Sequence, residues 1–223
     1  MKTVTLSYTK KLLCLAVLAA PILTGCGSSK DASKSNFADA IDKELKKQCI
    51  DLGFRNAFVS SSTEFPVSIP LEPALGARAE QAEKRNLEAT VPYEALVKAG
   101  LLTGNDAQVK QLSWGDAKEV PGKIYSLTDE GKKALRDPKS TSFCAGNYKV
   151  DEVVNFTEPG NAMGMTISQV KYTVSAVDVP TWAKTEAVKS AFPRFAKAIE
   201  DKSERQAMMI LQNDGWSAKT SGL

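Results

Sequence analysis

The chain contains no histidine among its 223 residues. That absence removes whole classes of chemistry: Ser-His-Asp and Cys-His catalysis, His-ligated zinc, and haem held by a proximal histidine. Cysteine is also scarce, with four residues in no metal-ligating spacing. No glycine-rich loop suited to cradling phosphate occurs, and no internal repeat. Apolar runs are short. The longest, Leu12 to Leu23, is about half of the roughly 20 residues a membrane-spanning helix needs. What remains is 43% apolar and 25% charged, an ordinary globular composition. It excludes a disordered chain, a collagen-like repeat and a multi-pass membrane protein.

Lys2, Lys10 and Lys11 precede that apolar run with no acidic residue among them. The pattern is that of a secretory signal, a positive n-region and then an h-region. It ends in Leu23-Thr24-Gly25-Cys26, which resembles the lipobox of bacterial lipoproteins. The resemblance implies that the Cys26 thiol is diacylated and that a peptidase cuts before it, removing residues 1–25. Small side chains at 24 and 25 suit a narrow peptidase site. Residues 26–35 then read as a flexible tether, with no apolar side chain larger than alanine. Position 27 is Gly rather than Asp. By analogy with Gram-negative lipoproteins this places the chain at the outer membrane, facing the periplasm, with the membrane as partner through lipid at Cys26.

Loss of the three signal lysines takes the net charge from +3 to zero. Residues 26–145 carry 17 charges of each sign and residues 146–223 nine of each. A nucleic-acid partner is excluded on this balance, since phosphate binding needs a positive surface. Cys14 leaves with the signal, and Cys49 and Cys144 remain beside the anchor. In an oxidising periplasm one pair reads as a disulfide, closing a loop of 95 residues. Two buried thiols are the other reading, because Cys49 falls in the apolar phase of an expected helix.

The mature chain is expected to be α+β in two parts, residues 36–137 and 143–218. In the first, Phe37, Ile41, Leu45, Cys49 and Leu52 line one face of a helix capped by Ser35 and ended by Gly53. Residues 58–76, with three prolines, read as extended. One helix is expected over 77–87 and a second from a Thr90 cap to Ala99, with Pro92 in its first turn and Gly100 ending it. Strands follow over 109–114 and 123–127 around a turn at 115–122. Thr128 then caps a short helix. Tyr93-Glu-Ala-Leu-Val-Lys-Ala-Gly-Leu-Leu-Thr103 and Tyr125-Ser-Leu-Thr-Asp-Glu-Gly-Lys-Lys-Ala-Leu135 together resemble the winged-helix pattern of bacterial regulators. The match spans 43 of 198 mature residues. It lacks the basic recognition helix of DNA-binding members, offering only Lys98 there, while Lys118 and Lys123 on the wing are offset by Asp116 and Glu119. A winged-helix-like scaffold put to another use is the reading.

The second part is expected to be an antiparallel ββαββ unit. Tyr148, Val150, Val154 and Phe156 alternate, and residues 165–179 form a long strand. Val188, Phe192, Phe195 and Ile199 stripe a helix that Pro193 kinks. Strands over 206–212 and 216–218 flank an Asn213-Asp214-Gly215 turn.

Candidate chemistry is sparse. Ser168-Gln-Val-Lys171 matches the Ser-x-x-Lys of penicillin-recognising enzymes, and Lys219-Thr-Ser-Gly222 faintly echoes their Lys-Thr-Gly. On a strand, however, residues three apart face opposite sides. Asp151 and Glu152 diverge for the same reason. Glu200, Asp201 and Glu204 read as a solvated helix end. Trp114, Trp182 and Trp216 read as core or turn anchors, and Met208-Met209 as strand core. No catalytic residue, metal site or cofactor is implied. The function expected is non-catalytic protein interaction in the cell envelope, with an envelope protein as partner. The alternative is a module that binds a small molecule or envelope polymer. A concave pocket with convergent polar groups favours the alternative; an exposed apolar patch favours the protein partner.

Overall fold

A computed structural model describes residues 28–54, 64–113, 116–162 and 164–220. The signal segment, the lipobox residues Leu23, Thr24, Gly25 and Cys26, Trp114, and Ser221 and Gly222 of the Lys-Thr-Gly echo lie outside them. The chain is α+β, with antiparallel sheets. Helix α1 (Lys34–Leu45) starts at Ser33, whose hydroxyl accepts the Asn36 N–H at 3.2 Å. It buries Phe37, Ile41 and Leu45. The expected continuation to Leu52 does not form. Ile50 N–H instead donates to the Gly146 carbonyl at 2.8 Å, and Ala145 N–H donates back to Ile50. Strand β1 (Asp51–Leu52) accordingly pairs with β5 (Phe143–Cys144). Ile50 and Leu52 are buried two apart, as a strand requires. Cys49 therefore lies on extended chain beside Cys144, not on a helix.

Strand β2 (Val67–Pro70) precedes helix α2 (Ala79–Lys98), and α2 replaces the two helices expected there. Thr90 does not cap a new helix. Its hydroxyl donates back to the Asn86 carbonyl at 2.9 Å, within the continuing turn. Pro92 leaves one carbonyl of the ladder unpaired without ending it. The Asn86 amide accepts from the Glu72 N–H at 2.8 Å and donates to the Glu72 carbonyl at 2.9 Å, tying the preceding loop to α2. Strands β3 (Leu102–Ser113) and β4 (Asp116–Leu127) pair in unbroken register, so most of the expected 115–122 turn is strand. Pro121 lies just past the end of the β2 pairing; its carbonyl accepts the Leu71 N–H at 2.9 Å on that side, so the donor it lacks faces away from β3 and costs that ladder nothing. The helix start expected at Thr128 is present: Thr128 Oγ1 accepts the Gly131 N–H at 2.9 Å and opens α3 (Asp129–Ala134). A Cβ on Gly131 would stand 2.0 Å from the Leu101 carbonyl oxygen. Because backbone must move, Gly131→Ala is expected to cost about 3 kcal/mol, read by urea denaturation; a loss under about 0.5 kcal/mol, the size of a neutral surface change, contradicts this packing.

The larger sheet runs in the order β10-β9-β8-β6: β6 (Asn147–Phe156), β8 (Met165–Val177), β9 (Ser203–Gln212) and β10 (Gly215–Thr220), with β7 (Gly160–Ala162) beside β8. Register shifts in β6 between Val150 and Glu152, and between Val153 and Asn155, correct its expected alternation. Val153 turns inward and Val154 is exposed. Between β8 and β9, the non-helical Phe192 (φ −127°) separates α4 (Glu186–Ala191) from α5 (Pro193–Glu200), with Pro193 in the first turn of α5. Met208 is exposed and Met209 fully buried, so only the second belongs to the core.

Helix α1 lies on this larger sheet. The Phe37 ring meets Phe156 of β6 and Trp216 of β10 edge-on, each at 4.9 Å. One cluster of buried residues, from Phe37 to Ala218, draws on both expected parts. The described part of the expected tether is also fastened down. Ser29 Oγ donates to the Asp214 carbonyl at 3.1 Å, and Trp216 Nε1 lies 3.1 and 3.2 Å from the carbonyls of Lys30 and Asp31. The Asn36 amide donates to Ser28 and Asp31 carbonyls. Nothing in the composition of this polar stretch signals that its backbone carbonyls are acceptors for a distant indole.

Candidate functional site

The motifs that suggest chemistry are dispersed by the fold. Ser168 is buried in β8 and donates to the Thr157 carbonyl at 2.7 Å, whereas Lys171 faces outward to Glu204 at 2.8 Å. No shared proton path joins them. Asp151 accepts from the Ser175 hydroxyl at 2.6 Å, while Glu152 is 3.7 Å from Lys34. Glu200 pairs with Lys189 at 3.0 Å and Glu204 with Lys171, so the helix-end acids do not converge. Among the described residues no group of three acidic or cysteine side chains is placed to hold a metal. Trp182 packs edge-on against Phe143 at 6.2 Å, and Trp216 fastens α1 and the N-terminal segment.

A half-buried polar network joins α2 to β4, with only Tyr125 fully buried. Glu94 Oε1 accepts from Lys123 Nζ at 2.7 Å and from the Tyr125 hydroxyl at 2.8 Å. The hydrogen bond from Lys123 holds the Glu94 carboxyl below its ordinary range, and burial pushes the Tyr125 hydroxyl up. A carboxylate with a depressed folded pKa contributes stability above its unfolded pKa and loses it as pH falls through the folded value. Acid titration of stability is therefore expected to show a loss below about pH 4.3, the free Glu value, that Glu94→Gln flattens. An unchanged acid limb in that variant contradicts it. Glu94→Ala leaves the buried phenol without its acceptor, a cost of about 1–3 kcal/mol.

A cleft of about 820 Å³ opens between the two expected parts of the chain. Its walls come from four places that the folding events above bring together. Gln48 to Asp51, with Gly53 and Phe54, form the extended chain after α1. Ala89, Pro92 and Tyr93 come from one face of α2. Phe192 to Phe195, Ala191 and Ala198 come from the break between α4 and α5. Arg136, Ser142 and Tyr148 complete the rim. Phe54 stacks on Tyr93 at 4.3 Å, Tyr93 on Tyr125 at 4.8 Å, and Phe192 meets Phe54 edge-on at 5.7 Å. Burial pushes the Tyr93 hydroxyl up to about 12, so the ring is neutral at any physiological pH. Two guanidiniums, Arg136 and Arg194, face this space against one carboxylate, Asp51, which stands 3.9 Å from Arg136. The volume lies within the range of small-molecule sites, and apolar walls with few polar groups are their usual lining.

Cys49 lies in the cleft wall, with Cys144 on the neighbouring strand, and both are free thiols. Burial and the hydrogen bond with Cys144 push the Cys49 thiol up to about 12. A nucleophilic cysteine needs the opposite shift, since the thiolate is the reactive form. Motif reading does not mark the aromatic cleft residues as a site: Tyr93 opens the winged-helix-like pattern, and Tyr148, Phe192 and Phe195 read as core. The only sequence signal was the Phe192-Pro193 break, which reads as a kink until the fold places it opposite α2. The chain matches no protein-family model, no curated protein and no solved structure.

Proposed function

We propose that the chain is a lipid-anchored, non-catalytic binding component of the bacterial envelope, and that its ligand occupies the aromatic cleft. One observation carries this reading: Phe54, Tyr93, Tyr148, Phe192 and Phe195 share a single space with Arg136 and Arg194. That lining suits a flat, largely apolar molecule bearing an anionic group. Stacking area supplies affinity and the guanidiniums supply orientation. The lipobox resemblance supports the anchor at Cys26 and an outer-membrane, periplasm-facing location. The absence of histidine and the raised Cys49 thiol support a binding role over catalysis. Anilinonaphthalene sulfonate, an aromatic anion, is the probe of choice. Saturable one-to-one binding to the folded protein is expected, weakened about tenfold, or 1.4 kcal/mol, by Arg194→Gln, an exposed position whose replacement spares the fold. Binding that is absent, or indifferent to Arg136→Gln and Arg194→Gln, contradicts the proposal.

A protein partner is the second reading, and a separate surface supports it. Leu87 and Val91 are exposed one turn apart on α2, on the side away from the cleft-lining Ala89, Pro92 and Tyr93. An envelope protein held there would be released by Leu87→Glu with cleft binding intact.

A further inference from the structure

We infer that the body is seated directly on the phospholipid headgroups by the end of the larger sheet that carries the β9–β10 turn, with the cleft at the opposite end, facing away from the membrane. This rests on acylation of Cys26, part of the function proposed above. Seating follows from where the chain first becomes fixed. Ser28 and Asp31 are tied to Asn36, Ser29 is tied to Asp214, and Lys30 and Asp31 accept from the Trp216 indole. Only two residue steps separate Ser28 from Cys26. Fully extended, they reach about 7 Å, against about 35 Å for a free tether of ten residues. The headgroup layer of one leaflet is itself roughly 6 Å thick. A body pinned at Ser29 therefore cannot stand clear of it.

Strand register says what else lies at that end. Ile167 of β8 pairs with Ile210 of β9, and Ala162 with Met165, so the β7–β8 turn and the β9–β10 turn point the same way. Met165, 43% exposed, stands at this edge with the uncharged side chain of Asn213. The other end of the sheet carries Tyr148, which pairs with Ala176 and lines the cleft. Helix α1 runs the same course, from Lys34 beside the anchor to Gln48 and Cys49 in the cleft wall, and its 12 residues advance about 18 Å. The binding site is thereby presented to the periplasmic space at a set height rather than swinging on a linker.

The test uses the full-length protein in cells, with a benzophenone side chain placed at Asn213, Met165 or Lys202, all exposed, and illuminated in turn. Lys202 lies beside Ser203, which pairs with Val174 toward the cleft end. Lipid adducts are expected at 213 and 165 at about ten times the yield at 202, since contact is compared with a gap wider than the headgroup layer. Trp216→Phe keeps a ring against Phe37, removes the indole donor, and should shrink that ratio toward one. The same samples report the mass on Cys26. Acylated protein with equal yields at 213 and 202 overturns the seating alone. An unacylated Cys26 overturns the anchor and the seating together.

Discussion

Phe37→Ala is expected to remove about 3–5 kcal/mol of stability, the usual cost of truncating a fully buried aromatic. Phe37 has no exposed surface and touches rings on two strands that are not neighbours, Phe156 of β6 and Trp216 of β10. Its removal leaves a cavity that α1 alone cannot close, because Ile41 and Leu45 already hold the rest of the helix against the sheet. The midpoint in urea should fall at constant slope, with melting lower by on the order of 10 °C. Because Trp216 also holds Lys30 and Asp31, amide exchange at residues 28–33 should quicken in the same variant. A loss below about 1 kcal/mol, the scale of an ordinary average substitution, contradicts the placement of α1 on this sheet.

The second large effect concerns Cys49 and Cys144. Cys144 stands opposite Asp51, and Cys49 lies two residues before Asp51 on the extended chain leading into β1, so the two thiols are diagonal neighbours. Oxidation closes a loop of 95 residues. The chain-entropy model allows at most about 4–5 kcal/mol for this, less whatever the strands give up in moving together. Diagonal Cβ atoms start farther apart than a bond prefers, so the gain should fall short of that ceiling. Urea unfolding of oxidised and reduced protein measures it directly. Equal midpoints mean that the pair is a packed, neutral couple of thiols. Since Cys49 also lines the cleft, the bond should stiffen one wall and slow ligand release.

Legibility varied with the range of the interactions. The cap motifs were readable because both partners lie within one turn: Thr128 with Gly131, and a serine just before Phe37, although the cap is Ser33 rather than Ser35. The end of α1 was not readable. Cys49 and Leu52 continue its spacing, and only pairing with residues 143–146 shows that this chain is extended. Thr90 and Pro92 look like a helix start, yet the helix is packed on both sides of them, at Ala82 before and at Tyr93 and Leu96 after. In β6 the bulges exchange Val154 for Val153, which no period-two count can detect. The cleft was legible least. Its aromatic residues come from segments as far apart as 54, 93, 148 and 192, and each has an ordinary local role as a core ring.

Native mass spectrometry of the lipidated protein, released gently from its own membranes, tests the binding account most directly. The account predicts one small molecule retained in addition to the acyl chains, lost when Arg136 and Arg194 are both changed to Gln while the fold persists. A cleft that carries nothing, with a protein-sized partner retained instead and released by Leu87→Glu, would contradict it and give the molecule to the exposed face of α2.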